Sequence, residues 1–474
     1  MKKADLIIHT NYMYTMQGDG LGFLQGKSIV TDGSKIIEID DRKIIEKQYQ
    51  AEKEIDAGDK LVLPGFIDGH MHTGHGVIRG VAQDIDNWMM EGMAPFEAVR
   101  SREAKDAGSR LAIAEAILWG TTTIGDDGSD MEGAIRFIEK TGVRGNVSVR
   151  VRNALPKAYK QGELYIFDKE MGERTLGEAL DLYERYHGRD GGRIQIRLGP
   201  QGADFLDLEL LQKVKRIAKE KRTKIHMHLA QGTRETEQML MRYQQRTIPF
   251  LEKLDYFDED YIGIHLTDAT KEEVETVAVH KGNMILCSNS IGVIAGRVPP
   301  AKEFLDAGGN VGLGTDQAPG NNGHNMFSEM KATSCFNKIK YQSSTIMPAW
   351  KVLRMATIEG AKALGIDKVT GSIEVGKSAD LILIDLKHPQ LAPIYTIPMR
   401  NLAPNLVYAA RGNEVDTVIA HGKVIVEHRI PQTFDLEEII EDAQRYADDI
   451  GGKAKEQFEE INGRNAQYMR EGKL

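Results

Sequence analysis

Residues 65–76 read GFIDGHMHTGHG. Side chains two apart on a β-strand share a face, so a strand here aims His70 and His72 together, and paired imidazoles are a ready grip for a metal ion. Standing alone, such a pair is more often two ordinary core or surface histidines. Three further residues change its meaning: His228 ends the apolar run TKIHMHLA, His265 ends YIGIHLTD, and Asp316 ends NVGLGTDQAP. Barrel enzymes gather their chemistry at the C-terminal ends of successive strands, where all five of these groups fall. Three imidazoles and one carboxylate suit zinc, or iron(II), with one position open for water.

The elements that must carry these residues alternate along the chain. From about Gly65 to Gly365, short apolar runs such as TTTIGD, RIQIRLGP, NMILCSNS and NVGLGTD are separated by stretches of helical period, for example LELLQKVKRIAKEKR and KEEVETVAVHKG. Repeated strand-then-helix units predict a parallel sheet with helices outside it, and their number fits a (β/α)8 TIM-type barrel. No glycine-rich dinucleotide fingerprint follows the first strand. The segments ADLIIHTNYMYTM, KSIVTDGSKIIEID and KLVLP before the barrel, and GSIEVGKSADLILIDL and EVDTVIAHGKVIVEHR after it, read as strands with glycine turns. The expected organisation is a small β-sandwich built from both chain ends (1–62 and 369–432), the barrel over 63–368, and a helical tail over 433–474, in which Asp435 to about Gly463 reads as a terminal helix pair.

Composition narrows the partners. The net charge of −9 is spread along the chain without a basic block, which speaks against nucleic acid and for a small molecule. Two cysteines, Cys287 and Cys335, without CxxC spacing, predict no disulfide framework and a reducing, cytoplasmic setting. The apolar run in MKKADLIIHTNY is too short for a signal-peptide core or a membrane span.

With these motifs in hand, the chain resembles the amidohydrolase superfamily, in the branch of atrazine chlorohydrolase and triazine hydrolase that also holds adenosine-derivative and guanine deaminases. LPGFIDGHMH is similar to the family's first-strand motif, GLGTDQAPGNN to its last-strand motif, and GSIEVGKSADLILIDL to its return into the sandwich, so the likeness runs from about residue 4 to 430. The resemblance implies a metal-dependent hydrolase with His70, His72, His228 and Asp316 as ligands of one divalent ion, zinc before iron(II), and with His265 facing the attacking water. The absence of a lysine in RIQIRLGP argues against a two-metal site. In that reading Asp316 accepts a proton from the water and returns it to the leaving group, and His265 orients the water and stabilises developing charge. A homodimer or larger homo-oligomer is implied in the same way.

One residue departs from the pattern. Deaminases of this branch typically carry a glutamate three residues beyond the strand-five histidine, where it protonates a ring nitrogen; here the residue is Gln231. A side-chain amide can donate to a ring nitrogen or accept from a ring N–H, but it cannot shuttle a proton. Three explanations stand side by side: another acid substitutes, with Glu235 the nearest in sequence; the substrate needs less activation, as when a halide leaves; or the chain binds without efficient turnover.

Around the metal, Trp88, His75, Gln201, Asn289, Ser290 and His324 are candidate substrate contacts, with Asp204 beside Gln201. Trp88 is equally readable as core, and His75 as a solvent-facing residue. The absence of the family's PHAPY pattern near residue 200 counts against an adenosine-type substrate. His226 reads as a hydrogen-bonded core histidine, and His9, His187, His280, His388, His421 and His428 as structural. The leading expectation is hydrolysis at a ring carbon of a nitrogen heterocycle (purine, pterin, pyrimidine or s-triazine), releasing ammonia, an amine or chloride. The alternatives are a cyclic-amide hydrolase and a metal-dependent binding protein with weak activity.

Overall fold

The computed structural model describes residues 1–156, 159 and 162–474. Eight parallel strands, Phe66–Met71, Thr121–Gly128, Arg144–Val151, Ile194–Pro200, Ile225–Leu229, Tyr261–His265, Asn283–Leu286 and Asn310–Leu313, pair in chain order. Most are buried on both faces, which is why they read as continuous apolar runs instead of alternating ones. The last strand returns to the first: Asp316 N–H donates to the His70 carbonyl at 2.8 Å, and His72 N–H donates to the Asp316 carbonyl at 3.0 Å. The (β/α)8 barrel is therefore closed at the level of the site. Gly314 permits this approach, because a Cβ there would lie 2.8–2.9 Å from the backbone N and O and the Cβ of His70.

The outer helices follow from amphipathic spacing and caps. Leu208–Lys221 begins where the Asp207 side chain accepts from Leu210 N–H, and it buries Leu210, Leu211, Val214 and Ala218 along one stripe.

Both chain ends meet in a second, mixed sheet of nine strands. Its centre is Tyr49–Pro64, which pairs parallel with Lys2–Tyr14 and antiparallel with Leu381–Asp385. The sandwich takes the form of one continuous hydrogen-bonded path, curled over Leu6, Ile8, Ile29, Ile36, Val62, Leu383 and Ile419. The curl brings two turns together: Gly422, at φ 79°, lies so close that a Cβ would sit 2.0 Å from the Gly33 carbonyl oxygen. Arg144 from the barrel and Asp380 from the sheet form a buried ion pair at 3.2 Å across the junction.

Where a helix pair was expected from Asp435 to about Gly463, the tail is instead one 26-residue helix, Leu436–Ile461, followed by the short helix Arg464–Arg470. The long helix runs through Gly451 and Gly452 because Ile439, Ala443, Ile450 and Ala454 bury a continuous stripe. It packs on the helix Arg102–Leu118 and on the segment after the first barrel strand, with Phe458 against Phe96 at 5.9 Å between centroids. Among the described residues, no helix is long and apolar enough to cross a membrane.

Candidate active site

A cavity of about 730 Å³ opens at the C-terminal ends of the barrel strands. His72, His228 and Asp316 line it, with Trp88, His75, Gln201 and Gln231 around them. The backbone marks the same rim: Ala230 (φ 47°), His265 (φ 76°), Leu266 (φ 53°) and Asp316 (φ 64°) all adopt left-handed conformations that non-glycine residues seldom take. Such strain concentrates where surrounding structure must aim particular side chains.

His70, His72 and His228 bring ligand atoms within 4.8 Å of one another, and so do His70, His265 and Asp316. Asp316 Oδ1 lies 3.6 Å from His70 Nε2 and 3.5 Å from His72 Nε2. Each imidazole of the first group is anchored through its other nitrogen. His72 Nδ1 meets the Asp127 carbonyl at 2.7 Å, and His228 Nδ1 meets the Gln201 carbonyl at 2.8 Å. A carbonyl only accepts, so both Nδ1 atoms carry the proton and both Nε2 lone pairs are free to bind a cation. Arg150 Nη2 stands 3.2 Å from His72 Nδ1, but donor faces donor there, and that guanidinium spends its bonds on Asp127 Oδ2 at 2.6 Å. His70 Nδ1 pairs with His226 Nε2 at 2.8 Å.

Burial, reinforced by the neighbouring histidines, holds His70 well below the ordinary imidazole range. His72 is held down by burial first and then by His70 and Arg150; burial and His265 push His228 down to about 3. The rings are thus neutral, as metal ligands must be. Among the described residues, His70 Nε2 and both ring nitrogens of His265 are buried without a hydrogen-bond partner. Buried polar atoms are rarely left so, and the donor set fits a divalent ion with water.

Asp316 is fixed from behind. Ser290 Oγ donates to its Oδ2 at 2.6 Å, leaving Oδ1 toward His70 and His72. Ser290 lies in the helix Ser288–Ala295, whose first amides, those of Ser288 and Asn289, donate to the buried Glu329 carboxylate. Thr315 N–H and Oγ1 donate to Asp68 at 2.9 and 2.6 Å.

The other candidate contacts divide. His75 lines the cavity with Nε2 2.8 Å from Glu97, and Trp88 lines it from the π-helical turn Trp88–Met93. Gln201 lines it too, and its Oε1 is buried without a partner among the described residues. Asn289 instead donates its side chain to Asn321, and His324 is fully buried with Nδ1 2.9 Å from Thr315 Oγ1; neither lines the cavity. Asp204 lies beneath the wall, 3.4 Å from Arg234.

Gln231 reaches the cavity, whereas Glu235 does not. Both carboxylate oxygens of Glu235 are engaged by backbone amides, Ala230 at 2.9 Å and Gln231 at 2.8 Å. The side chain nearest in sequence to a substitute acid is spent on shaping the strand end.

Sequence reasoning missed the cations of the wall: Arg100, Arg150, Arg152, Arg174 and Arg234 all line the cavity. Only Arg150 and Arg152 left a signal, the alternating VSVRVRN at the end of the third strand. It also missed that His226 touches His70, although the two-residue spacing to His228 put both on one face.

The fold and the site have counterparts among known proteins. A family model described as the amidohydrolase family matches residues 61–425. A 5'-deoxyadenosine deaminase of Methanosarcina acetivorans is 31% identical over 453 residues, covering 95% of this chain and 99% of that protein. The structure of an adenosine deaminase from Xanthomonas campestris with bound zinc superposes with a TM-score of 0.87 at 25% identity, covering 95% of this chain and 99% of that one. The zinc complex of an atrazine chlorohydrolase from Arthrobacter aurescens superposes with a TM-score of 0.82 at 21% identity, over 93% of this chain and all of that one (100%), a likeness of fold. A closed barrel with His70 on its first strand, His72 just past it and an aspartate after its last strand, matched by one family's model over most of its length, leads to a single assignment: the chain belongs to the amidohydrolase family.

Proposed function

We propose that the protein is a metal-dependent hydrolase that removes an amino group from a ring carbon of a nitrogen heterocycle, with purine-type rings the first class to test. The observation that carries this reading is the convergence of His70, His72, His228, His265 and Asp316 at one cavity, which His72, His228 and Asp316 line, with His70 Nε2 and both His265 ring nitrogens buried without a partner among the described residues. The adenosine-type substrates in the names of the Methanosarcina and Xanthomonas relatives support the purine class. Gln201 and its neighbours PQGAD depart from the pattern common in such deaminases, which leaves the groups beyond the ring open.

Zinc is the proposed ion, one per chain, supported by the zinc in the Xanthomonas structure. A divalent ion held by these ligands supplies a water whose pKa falls to about 7. Asp316, with Oδ2 tied to Ser290, offers Oδ1 to take a proton and pass it to the departing amine. His265 offers ring nitrogens to orient the attacking water and stabilise charge on the ring. Gln231 and Gln201 hold the ring edge.

Opening of a cyclic amide is the second reading, favoured by the missing acid at Gln231, since Asp316 alone can manage its single proton transfer. Product mass separates the two. Zinc-loaded protein is incubated with aminopurines, aminopterins, cytosine, amino- and chloro-s-triazines and cyclic amides. Exchange of an amino group for a hydroxyl on an intact ring is expected; gain of a whole water favours ring opening. Silence across the panel from metal-loaded protein would set both aside in favour of a binding protein.

A further inference from the structure

A glutamine can face a ligand with its oxygen or with its NH2, and the two choices select opposite partners. In this protein the Gln231 amide has Arg234 beside it. Gln231 Oε1 lies 3.2 Å from Arg234 Nη2. A guanidinium has donors only, so the amide atom facing it must be the oxygen. Nε2 takes the opposite branch of the planar amide, on a residue that lines the cavity, and no described residue accepts from it.

Arg234 is itself held. It stands in the first turn of the helix Thr233–Tyr243, an end where the helix dipole disfavours a cation. Buried Asp204 lies 3.4 Å from Nη2, and the guanidinium sits over the Phe205 ring at 4.6 Å from its centroid. The sulfur of Met89 lies 3.7 Å from Nη1. These contacts hold the guanidinium beside Gln231.

We propose that Arg234 locks Gln231 as a hydrogen-bond donor and so makes the pair a specificity determinant. The substrate ring presents an acceptor to Nε2, an unprotonated ring nitrogen or a carbonyl oxygen, and rings with N–H at that place are disfavoured. This deepens the proposed function and rests on its placement of the ring. It also answers what replaces the missing acid: Gln231 polarises an acceptor without transferring a proton, and Gln231→Glu would create an ion pair with Arg234 in place of a proton donor.

The test is equilibrium binding to the zinc-loaded protein of three probes: purine, the deazapurine in which C–H replaces the ring nitrogen beside the attacked carbon, and hypoxanthine, which carries N–H there. Wild-type protein is expected to prefer purine over both, by roughly fivefold to tenfold, the worth of one neutral hydrogen bond. Because Arg234→Met alone strands Asp204, the variant to measure is R234M/D204N; freed of its lock, the amide can turn, and the preference is expected to fall to about twofold or less with hypoxanthine gaining. Arg234→Lys, which keeps a donor-only partner, is expected to retain the preference. Tight binding of purine and its deaza analogue with equal affinity overturns the donor assignment alone. A wild-type preference for hypoxanthine, or one unchanged in R234M/D204N, overturns it as well. Failure of all three probes to bind overturns it together with the purine reading on which it rests.

Discussion

The backbone amide of Asp316 donates to the carbonyl of His70 at 2.8 Å, so the aspartate and the histidine that face each other across the candidate metal site are also the residues that close the barrel. Fold and chemistry share one seam. A shift of the last strand against the first would open the barrel and pull Oδ1 away from the imidazoles at once.

Gly314→Ala probes that seam. The added methyl would stand 2.8–2.9 Å from His70 main-chain and Cβ atoms, so the strands must part. The expected cost is about 1–3 kcal/mol of stability, as for overpacked cores, with zinc content per chain falling in parallel. Urea midpoints and metal analysis check it; unchanged zinc content would mean that the seam gives without disturbing the site.

Asp316→Asn keeps the size of the side chain and an oxygen for Ser290 but removes the proposed proton acceptor. Turnover is expected to fall by at least about a hundredfold, the lower end for loss of a general base, while the circular dichroism spectrum stays the same. Residual activity near wild type would move the base elsewhere.

His226→Leu removes the partner of His70 Nδ1 and leaves Nε2, the proposed ligand nitrogen, in place. Losing such an outer contact is expected to weaken metal affinity by about 10- to 100-fold. Competition with a chelator measures it. Stripping metal from the wild type should lower its melting temperature, and should do so less for this variant.

Asp380 should govern acid stability. Burial alone would raise its carboxyl, but Arg144, the His421 amide at 2.7 Å and other hydrogen bonds outweigh burial and hold it below 3.8. A carboxyl depressed in the folded state contributes stability that is fully present above its unfolded value and is lost as pH falls through its folded one. Wild-type stability is therefore expected to drop on acidification below about pH 4. Asp380→Asn, which leaves Arg144 buried without a counter-charge, should start about 3–5 kcal/mol lower at neutral pH and drop less steeply. Urea titrations at two pH values decide.

What the sequence could reveal depended on periodicity. The repeat of strand-then-helix units and the apolar runs exposed the barrel, and the histidines and Asp316 stood out because polar residues ending such runs are uncommon. The contacts that orient them were silent, because the anchors of His72 and His228 are backbone carbonyls of Asp127 and Gln201, which any residue would supply. Proximity in sequence misled at Glu235, which the first turn of the following helix directs at amides. It misled again at His324, which returns beneath Thr315 instead of over the cavity. The cationic wall is drawn from several segments of the chain, and no local pattern announces such a gathering.

The strand Tyr49–Pro64 runs directly into the barrel, yet one of its two neighbours, Leu381–Asp385, is synthesised only after the entire barrel. Until then the ribosome holds a chain whose central sheet strand has an open, apolar edge, with Leu61, Val62 and Leu63 unpaired on that side. Asp316 reaches His70 only near the end of the same interval. Emergence of the C-terminal strands is thus the step that covers the edge, and a chain cut short after the barrel would be born with a template for aggregation in place of a partner strand.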